Sequence, residues 1–134
     1  DFTAPKTYSI GSSPEIYSLN ALKKILSIFG NAQYSEYMNF YIRNNPSYFK
    51  INEIDLPKRL IRDYRLTLDY REDLEMFDAL YKKLDKKKLK PNLKNVFKVL
   101  DKNPEISSLN SHLGLKYKTD TSLVDKLNNV TKIN

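Results

Sequence analysis

The acidic side chains around Asp69 are the first candidates for a chemical role in this sequence. Glu72 follows Asp69 by three residues, and this spacing is compatible with two roles. In the first, Asp69 is the N-cap of a helix and Glu72 completes a box-like pair of hydrogen bonds to the backbone. In the second, the Asp69 carboxylate is a metal ligand. The spacing alone favours the cap, because caps of this kind are common.

Two adjoining elements would position Asp69. The segment Tyr64–Asp69 alternates between two sets of side chains, which is typical of a strand with one face on a core. The next residues have helical spacing, and their predicted buried stripe consists of Leu74, Phe77, Leu80 and Tyr81. Ligands in open α/β sheets bind outside the carboxyl ends of strands. Asp69 is therefore predicted to lie where a ligand could bind.

Three arginines precede this junction. Arg59, Arg62 and Arg65 approach the predicted strand, and a guanidinium can bind phosphate or carboxylate through two parallel hydrogen bonds. We expect Arg59 and Arg62 to be surface residues. Arg65 is expected either to contact a substrate or to pair with a carboxylate of the core.

The composition excludes several kinds of site. The chain has 134 residues, one domain's worth, of which 40% are hydrophobic and 29% are charged. The absence of cysteine excludes disulfides and thiolate metal sites, and one histidine cannot build a catalytic triad or a histidine cluster. None of the three glycines lies in a phosphate-binding loop pattern.

The sequence shows no membrane or export segment. No apolar run approaches the roughly 20 residues of a membrane span, and no signal peptide is visible. We therefore expect a cytoplasmic protein without a membrane partner. The start at Asp1, without methionine, is more consistent with a fragment than with a natural N-terminus.

The net charge of +7 is concentrated in one lysine-rich segment. Six lysines between Lys82 and Lys90 accompany a single acidic residue, Asp85, so the segment has a charge of +5. The favoured interpretation is a solvated helix end, where lysines suit the helix dipole. Attraction to nucleic acid or phosphate is the alternative, and nucleic acid is not the expected partner.

The rest of the chain alternates extended segments with amphipathic helices. The predicted elements are an extended lead-in at 1–9, broken by Pro5, a short extended segment at 15–18, helices at about 19–29 and 34–43, a strand at 48–54, a helix at about 93–100 and a polar tail that could hold a helix at about 122–130. The first helix is expected to bury Leu19, Leu22, Ile25, Leu26 and Phe29. The predicted fold class is α/β, with a partial sheet of about three short strands and three to five packed helices.

Several segments carry a resemblance to a known family. They include Gly11–Leu22, Asn45–Ile51 and Asn103–Asn110, but the clearest is Arg65-Leu-Thr-Leu-Asp69 followed by Glu72-Asp-Leu-Glu75. This stretch resembles the pattern R-L-T-V-D-T-P-E-D-L-E of the cytidylyltransferase-like proteins of spore-coat polysaccharide biosynthesis, which are relatives of the CMP-sugar synthetases. The whole resemblance lies in the C-terminal half of that family's proteins.

The resemblance implies a partial nucleotidyltransferase-type sheet, with residues 1–110 as the C-terminal part of the domain and 111–134 as a polar tail. It implies CTP-dependent activation of an acidic or amino sugar, with Mg²⁺ as cofactor. Asp69 matches the aspartate that helps to hold magnesium in the CMP-sugar synthetases, and Glu15 and Arg65 are expected on the sugar side. Without the resemblance, Glu15 is simply an exposed strand carboxylate. The chain alone is expected to be inactive.

A second hypothesis is a non-catalytic dimerisation or interaction module of a polysaccharide-biosynthesis protein. A partial sheet exposes edges that can pair with another chain. The predicted second helix has a largely aromatic face, which suits either the core or a subunit interface and consists of Tyr34, Tyr37, Met38, Tyr41 and Ile42. On either hypothesis we expect a homodimer.

Overall fold

A computed structural model of the chain describes residues 1–113 and 120–133. In these residues the strands Phe2–Pro5 (β1), Ile16–Tyr17 (β2) and Ile51–Ile54 (β3) form one sheet in the order β2-β1-β3. The α-helices of the same residues are Leu19–Phe29 (α1), Met38–Arg43 (α2), Arg71–Lys86 (α3), Leu93–Leu100 (α4), Pro104–Ser107 (α5) and Thr121–Val130 (α6). The predicted α/β class with about three short strands is confirmed. None of the described helices has the length and apolar character needed to cross a membrane.

The chain divides into two compact units. The first, called the sheet unit here, has its described residues at 1–6, 14–55 and 120–133 and contains the sheet with α1, α2 and α6. The second, called the helical unit, has its described residues at 7–13 and 56–113 and contains α3, α4 and α5. The predicted division into residues 1–110 and a tail of residues 111–134 stays a prediction.

β1 is the central strand of the sheet unit. It pairs antiparallel with β2 and parallel with β3, so that Phe2 lies opposite Tyr17 on one side and Ile51 on the other. The Phe2 side chain is buried, and its ring centroid lies 5.0 Å from that of Tyr17. The sequence predicted a lead-in broken by Pro5, but Pro5 is the last residue of the strand. The pairing continues past Pro5 because the Lys6 N–H donates to the Ile54 carbonyl at 3.0 Å.

α1 begins as predicted but buries a different face. The Ser18 hydroxyl accepts a hydrogen bond from the backbone N–H of Ala21 at 3.1 Å, which caps the helix. Ala21 and Ile25 lie in the core, whereas Leu19 and Leu26 are 65% and 56% exposed. The predicted buried stripe is therefore partly wrong. Apolar residues occur on both sides of this helix, so their spacing does not decide which side packs on the sheet.

Asn45 connects the C-terminal segment to the rest of the sheet unit by hydrogen bonds. Its side-chain amide donates to the backbone carbonyls of Tyr41 and Thr131, both at 2.7 Å, and its Oδ1 accepts from the backbone N–H of Ile133 at 2.8 Å. Leu127 of α6 is fully buried. The polar tail therefore contains a helix that belongs to the sheet unit. Leu115, which was also expected to support the tail, lies outside the described residues.

The helical unit has its own core, formed by α3, α4 and α5. Its buried side chains are Met76, Leu80, Leu84, Val99, Leu100 and Ile106. The predicted stripe of α3 is partly wrong, because Leu74 and Tyr81 are exposed and Met76 and Leu84 are buried instead.

The predicted strand Tyr64–Asp69 is wrong. In the part of the chain that the structure describes, this segment forms only one isolated parallel bridge, between Arg65 and Ile10. The alternation holds only in part, since Tyr64 and Leu66 pack against the core as expected, whereas Arg65 is buried and Leu68 is exposed. The physical reason is a buried ion pair of Arg65, described below, which the apolar pattern does not reveal.

Gly11 allows a close approach of two backbone segments in the helical unit. Its φ is +80°, and a Cβ placed there would lie 2.2 Å from the carbonyl oxygen of Leu66. The Leu66 N–H donates to the Ile10 carbonyl at 2.7 Å, and the Ser9 hydroxyl donates to the Arg62 carbonyl at 2.6 Å. These contacts hold the backbone on both sides of residue 65.

Gly11→Ala should strongly destabilise the helical unit. The added methyl group would overlap the Leu66 carbonyl in a backbone conformation that is itself strained, so we expect the free energy of unfolding to fall by about 2 to 5 kcal/mol. The control is Gly30→Ala in the sheet unit, where φ is also positive but a Cβ would meet nothing within 4 Å. Urea denaturation followed by circular dichroism measures both variants. Equal losses would contradict the close approach at Gly11.

Candidate functional site

The start of α3 is capped by the side chain of Asp73. One carboxylate oxygen, Oδ2, accepts hydrogen bonds from the backbone N–H groups of Asp69 at 2.9 Å and Tyr70 at 3.1 Å. The N-cap residue is Tyr70, and Asp73 occupies the third helical position, from which an acidic side chain can reach back to the cap. The cap predicted for Asp69 with Glu72 is therefore wrong by one residue.

Asp73 also binds the guanidinium of Arg65. The Arg65 Nε donates to Oδ1 at 2.8 Å and the Arg65 Nη2 donates to Oδ2 at 2.9 Å, so the pair is bidentate. Asn110 completes the arrangement, because its side-chain amide donates to Asp73 Oδ1 at 2.8 Å and to the Arg65 carbonyl at 3.0 Å. All three residues are buried, with Asp73 fully enclosed.

The charges of this pair are stabilised by hydrogen bonds. Burial alone would raise the pKa of Asp73, but hydrogen bonds from Arg65, from the Asp69 backbone, from Asn110 and from the Tyr70 backbone together hold that pKa well below its ordinary value. The hydrogen bond with Asp73 likewise raises the pKa of Arg65. Asp73 and Arg65 therefore form a buried ion pair that stays charged at neutral pH.

Asp69 is the exposed end of the same arrangement. Its Oδ2 accepts a hydrogen bond from Arg65 Nη2 at 2.8 Å and another from the Thr67 hydroxyl at 3.3 Å, while its side chain stays 55% exposed. The Tyr70 ring lies 5.3 Å from the guanidinium carbon of Arg65. We call Arg65, Asp69, Asp73 and Asn110 the Arg65 cluster. One positive and two negative charges give the cluster a net charge of −1.

The Arg65 cluster could offer a magnesium ion one ligand, the exposed carboxylate of Asp69. Mg²⁺ prefers oxygen ligands and is often held by one or two carboxylates together with substrate phosphates. Within residues 1–113 and 120–133 there is no group of three or more His, Cys, Asp or Glu side chains that could hold a metal ion. Asp69 could supply one carboxylate, with the remaining ligands from phosphate or water. The metal role of Asp69 stays a prediction.

Of the residues predicted from sequence, the structure brings Arg65 and Asp69 together. Glu15 belongs to the sheet unit, where its Oε1 accepts a hydrogen bond from the Asn39 side-chain amide at 2.9 Å and the Tyr17 hydroxyl donates to its Oε2. For Arg65, the observed contact is the second alternative, pairing with a core carboxylate. Substrate binding by Glu15 and Arg65 stays a prediction.

Arg62 belongs to a separate polar cluster of the helical unit. Its Nε donates to Asp101 Oδ1 at 3.0 Å, and the Tyr64 hydroxyl donates to the same oxygen at 2.7 Å. Burial and the hydrogen bond with Asp101 raise the pKa of Tyr64 to about 12. The contact with Arg62 lowers the pKa of Asp101. These three side chains bind one another at the edge of the core.

The sequence does not reveal the roles of Asp73 and Asn110. Asp73 stands out only as part of the segment Glu72–Glu75 that resembles the family pattern, and Asn110 only as the end of another such segment. The signal for Asp73 is its place three residues after the N-cap. Nothing local predicts the contact of Asn110 with Asp73, since the two residues are 37 positions apart.

The α/β fold, with its small mixed three-stranded sheet, is consistent with part of a nucleotidyltransferase-type domain. No protein-family model matches the sequence, and no solved structure matches it.

Two curated proteins are similar to the chain. The Uncharacterized protein MJ1063 of Methanocaldococcus jannaschii is 30% identical over 117 residues, which cover 87% of this chain and 47% of that protein. The Spore coat polysaccharide biosynthesis protein SpsF of Bacillus subtilis is 30% identical over 112 residues, which cover 81% of this chain and 45% of SpsF. The chain thus spans about half the length of the curated relatives it matches, and it is distantly related to them.

Asp73→Asn should destabilise the helical unit far more than Asp69→Asn. The first change leaves the buried Arg65 guanidinium without its main counter-charge, so we expect the free energy of unfolding to fall by about 3 to 5 kcal/mol. The second removes an exposed charge, and we expect a loss below about 1 kcal/mol. Urea denaturation measures both. Similar losses for the two variants would mean that Asp73 is not the main partner of Arg65.

The low pKa of Asp73 predicts how stability depends on pH. In the unfolded chain an aspartate takes up a proton near pH 4, whereas Asp73 in the folded unit stays ionised to lower pH. Its contribution is therefore complete above the unfolded pKa and is lost as the pH falls, by up to about 1.4 kcal/mol per pH unit. Urea denaturation at several pH values between about 3 and 5 covers the pKa of an unfolded aspartate. Over this range, the free energy of unfolding should change less with pH in Asp73→Asn than in the unchanged protein. Identical slopes would contradict the assigned pKa.

Proposed function

We propose that this chain is the C-terminal part of a CTP-dependent nucleotidyltransferase that activates a sugar as its CMP derivative for polysaccharide biosynthesis. The observation that carries the proposal is the similarity to SpsF over 81% of the chain, a protein named for spore coat polysaccharide biosynthesis. The resemblance of Arg65–Glu75 to the cytidylyltransferase-like pattern adds the reaction class. The exposure of Asp69 at the start of α3 is compatible with contact to a ligand.

In the proposed reaction an oxygen of the sugar forms a bond to the α-phosphorus of CTP, and the bond to the departing pyrophosphate breaks. Catalysis of such transfers consists mainly of positioning and of neutralising phosphate charge. Mg²⁺, when bound, would supply that neutralisation. Asp69 would contribute one carboxylate, and the hydrogen bond from Arg65 to Asp69 Oδ2 would fix the orientation of that carboxylate.

Arg65 has a double role in this proposal. Its guanidinium is anchored by the buried Asp73 carboxylate and reaches the exposed Asp69 carboxylate. A buried ion pair thus positions the acidic group that faces the ligand. Glu15, held by Asn39 in the sheet unit, is proposed to contact the sugar.

None of the glycines of the chain forms a phosphate-binding pattern. By resemblance to the family, the nucleotide-binding loop and a second carboxylate for Mg²⁺ are expected outside the part that this chain matches. In this proposal they belong to another part of the same enzyme. The chain alone is therefore expected to be inactive, and the activity is a property of the complete enzyme.

The test uses the product of the intact reading frame that encodes this chain. With CTP, Mg²⁺ and a panel of acidic and amino sugars, we expect sugar-dependent release of pyrophosphate. Asp69→Asn should lower kcat by about 100-fold, as expected for loss of a group that stabilises charge in the transition state. The matched control is Asp78→Asn on the exposed side of α3, where the carboxylate pairs with Lys82, and this variant should keep full activity.

The proposed function fails if the intact protein neither binds CTP in calorimetry nor releases pyrophosphate. Full activity of Asp69→Asn would remove Asp69 from the site while leaving the reaction class in place. Urea denaturation of the same samples separates these results from misfolding, because Asp69→Asn is expected to be stable.

The second candidate is the dimerisation module. The exposed Ile16, Leu19 and Leu26 side chains and the edge position of β3 favour it. The predicted contribution of the tyrosine-rich helix is reduced, because Tyr41 lies in the core of the sheet unit. A homodimer without CTP binding, detected by sedimentation of the intact protein, would favour this candidate over the transferase.

A further inference from the structure

The lysine-rich segment at the end of α3 has no role in the proposed function. Its exposed lysines are Lys82, Lys86, Lys87, Lys88 and Lys90. Lys82 pairs with Asp78 on the preceding turn. Among the described residues, no other lysine of this segment has an ion pair. We call Lys83, Lys86, Lys87, Lys88 and Lys90 the lysine cluster.

The last turn of α3 does not need these side chains for hydrogen bonding. The Lys88 N–H donates to the Asp85 carbonyl at 2.9 Å, and the Leu89 N–H donates to the Leu84 carbonyl at 3.0 Å. This is the Schellman pattern of helix termination, in which backbone groups satisfy the last carbonyls. The lysine side chains are therefore not required as caps.

Interaction with the helix dipole explains only part of the cluster. Lys83 and Lys86 lie in the last turn of α3, where a positive charge is favourable. Lys87, Lys88 and Lys90 follow the end of the helix. Their positive charges repel one another. The helix dipole therefore does not explain why these three lysines follow one another so closely in the chain.

Lys88 occupies a position that favours glycine. Its φ is +51°, and it is the non-glycine residue with positive φ in the part of the chain that the structure describes. The position directly after the helix cap in a Schellman motif is usually glycine, sometimes asparagine, because other side chains are strained there. A lysine at this position is compatible with a use for its side chain that outweighs the strain.

The side chains of the segment restrict the chemistry of a ligand. Leu84 is buried and Leu89 packs on the core of the helical unit, so neither can insert into a membrane. No aromatic residue lies between Lys82 and Lys90, and the exposed Tyr81 just before them offers a single ring, so there is no row of aromatic side chains on which successive unpaired bases could stack. The remaining groups are the lysine ammonium groups. Each is a compact positive charge that is attracted to closely spaced negative charges but, unlike a guanidinium, does not select their geometry.

We propose that the lysine cluster binds the phosphate backbone of double-stranded nucleic acid without sequence preference. Duplex DNA carries one negative charge per about 1.7 Å of helix axis, which is a charge density that favours a compact group of lysines. DNA and RNA duplexes share this chemistry. We thus favour nucleic acid over the solvated helix end that the sequence alone favours.

This surface is separate from the Arg65 cluster. The two lie at opposite ends of α3, whose 16 residues span about 24 Å. The inference therefore does not rest on the proposed transferase function, and it can fail or hold independently.

The test measures binding of this chain to fluorescent DNA and RNA duplexes of about 20 base pairs over a salt series from about 50 to 200 mM. The logarithm of the association constant should fall linearly with the logarithm of salt concentration, with a slope of about −4 for four to five phosphate contacts. Lys88→Gly should reduce the magnitude of this slope by about 1. It should also raise the thermal midpoint by about 2 to 5 °C, because the backbone strain is relieved.

The matched control is Lys102→Ala. Lys102 is an exposed lysine that follows the far end of α4 in the same unit, so this change removes one charge outside the cluster. It should leave the slope unchanged. The opposite effects of Lys88→Gly on stability and on binding exclude misfolding as the cause of weaker binding.

Three results would overturn the proposal. One is an equal loss of binding in Lys88→Gly and Lys102→Ala, which would indicate attraction to the net charge alone. Another is tighter binding to single strands than to duplexes. The last is binding to vesicles with phosphatidylserine, or to heparin, without binding to either duplex.

Discussion

The bidentate ion pair between Arg65 and Asp73 is the interaction on which the helical unit depends. It joins the segment beside Gly11, the first turn of α3 and Asn110 beyond α5, because each of these supplies or accepts a hydrogen bond in the pair or next to it. Removing two charges from water costs free energy, and this cost is offset only when the hydrogen-bonding atoms of both groups have partners. That condition is met, since no buried side-chain nitrogen or oxygen of the described residues lacks a partner.

Arg65 pairs with one enclosed and one exposed carboxylate, which lie four residues apart in the chain. Asp73 is fully enclosed and neutralises Arg65, whereas Asp69 shares the guanidinium but faces solvent. The exposed carboxylate is thus oriented by a group that cannot move without breaking the core of the unit. Such pre-organisation is what the proposed charge-neutralising site would require, because little reorganisation would then accompany the proposed reaction.

The sequence predicted the parts of the fold that depend on local patterns. The first helix, its start near residue 19 and the α/β class follow from spacing and residue type. The faces of α1 and α3 were misplaced because Leu19, Leu26, Leu74 and Tyr81 are apolar yet exposed, and periodicity cannot tell which of two apolar flanks meets the core.

The candidate site was only half predictable for a related reason. Asp69 and Arg65 stood out by type and by resemblance, but the strand that was to carry them is replaced by a single bridge. Alternation of Tyr64, Leu66 and Leu68 could not reveal that Arg65 would be the buried residue. That outcome depends on Asp73 and on the distant Asn110, and a contact over 37 positions has no local signature.

The hydrogen bonds of Asn45 have a consequence for biosynthesis of the protein. They join residues 86 and 88 positions apart, and the polypeptide between them includes most of the helical unit. On the ribosome, α3, α4 and α5 can assemble through nearby contacts as soon as they emerge, whereas the sheet unit must wait for α6. Contacts between residues that are far apart in the sequence form slowly. Apolar surface that stays exposed until they form favours aggregation. The nascent sheet unit is therefore the portion of the molecule for which protection by chaperones matters most.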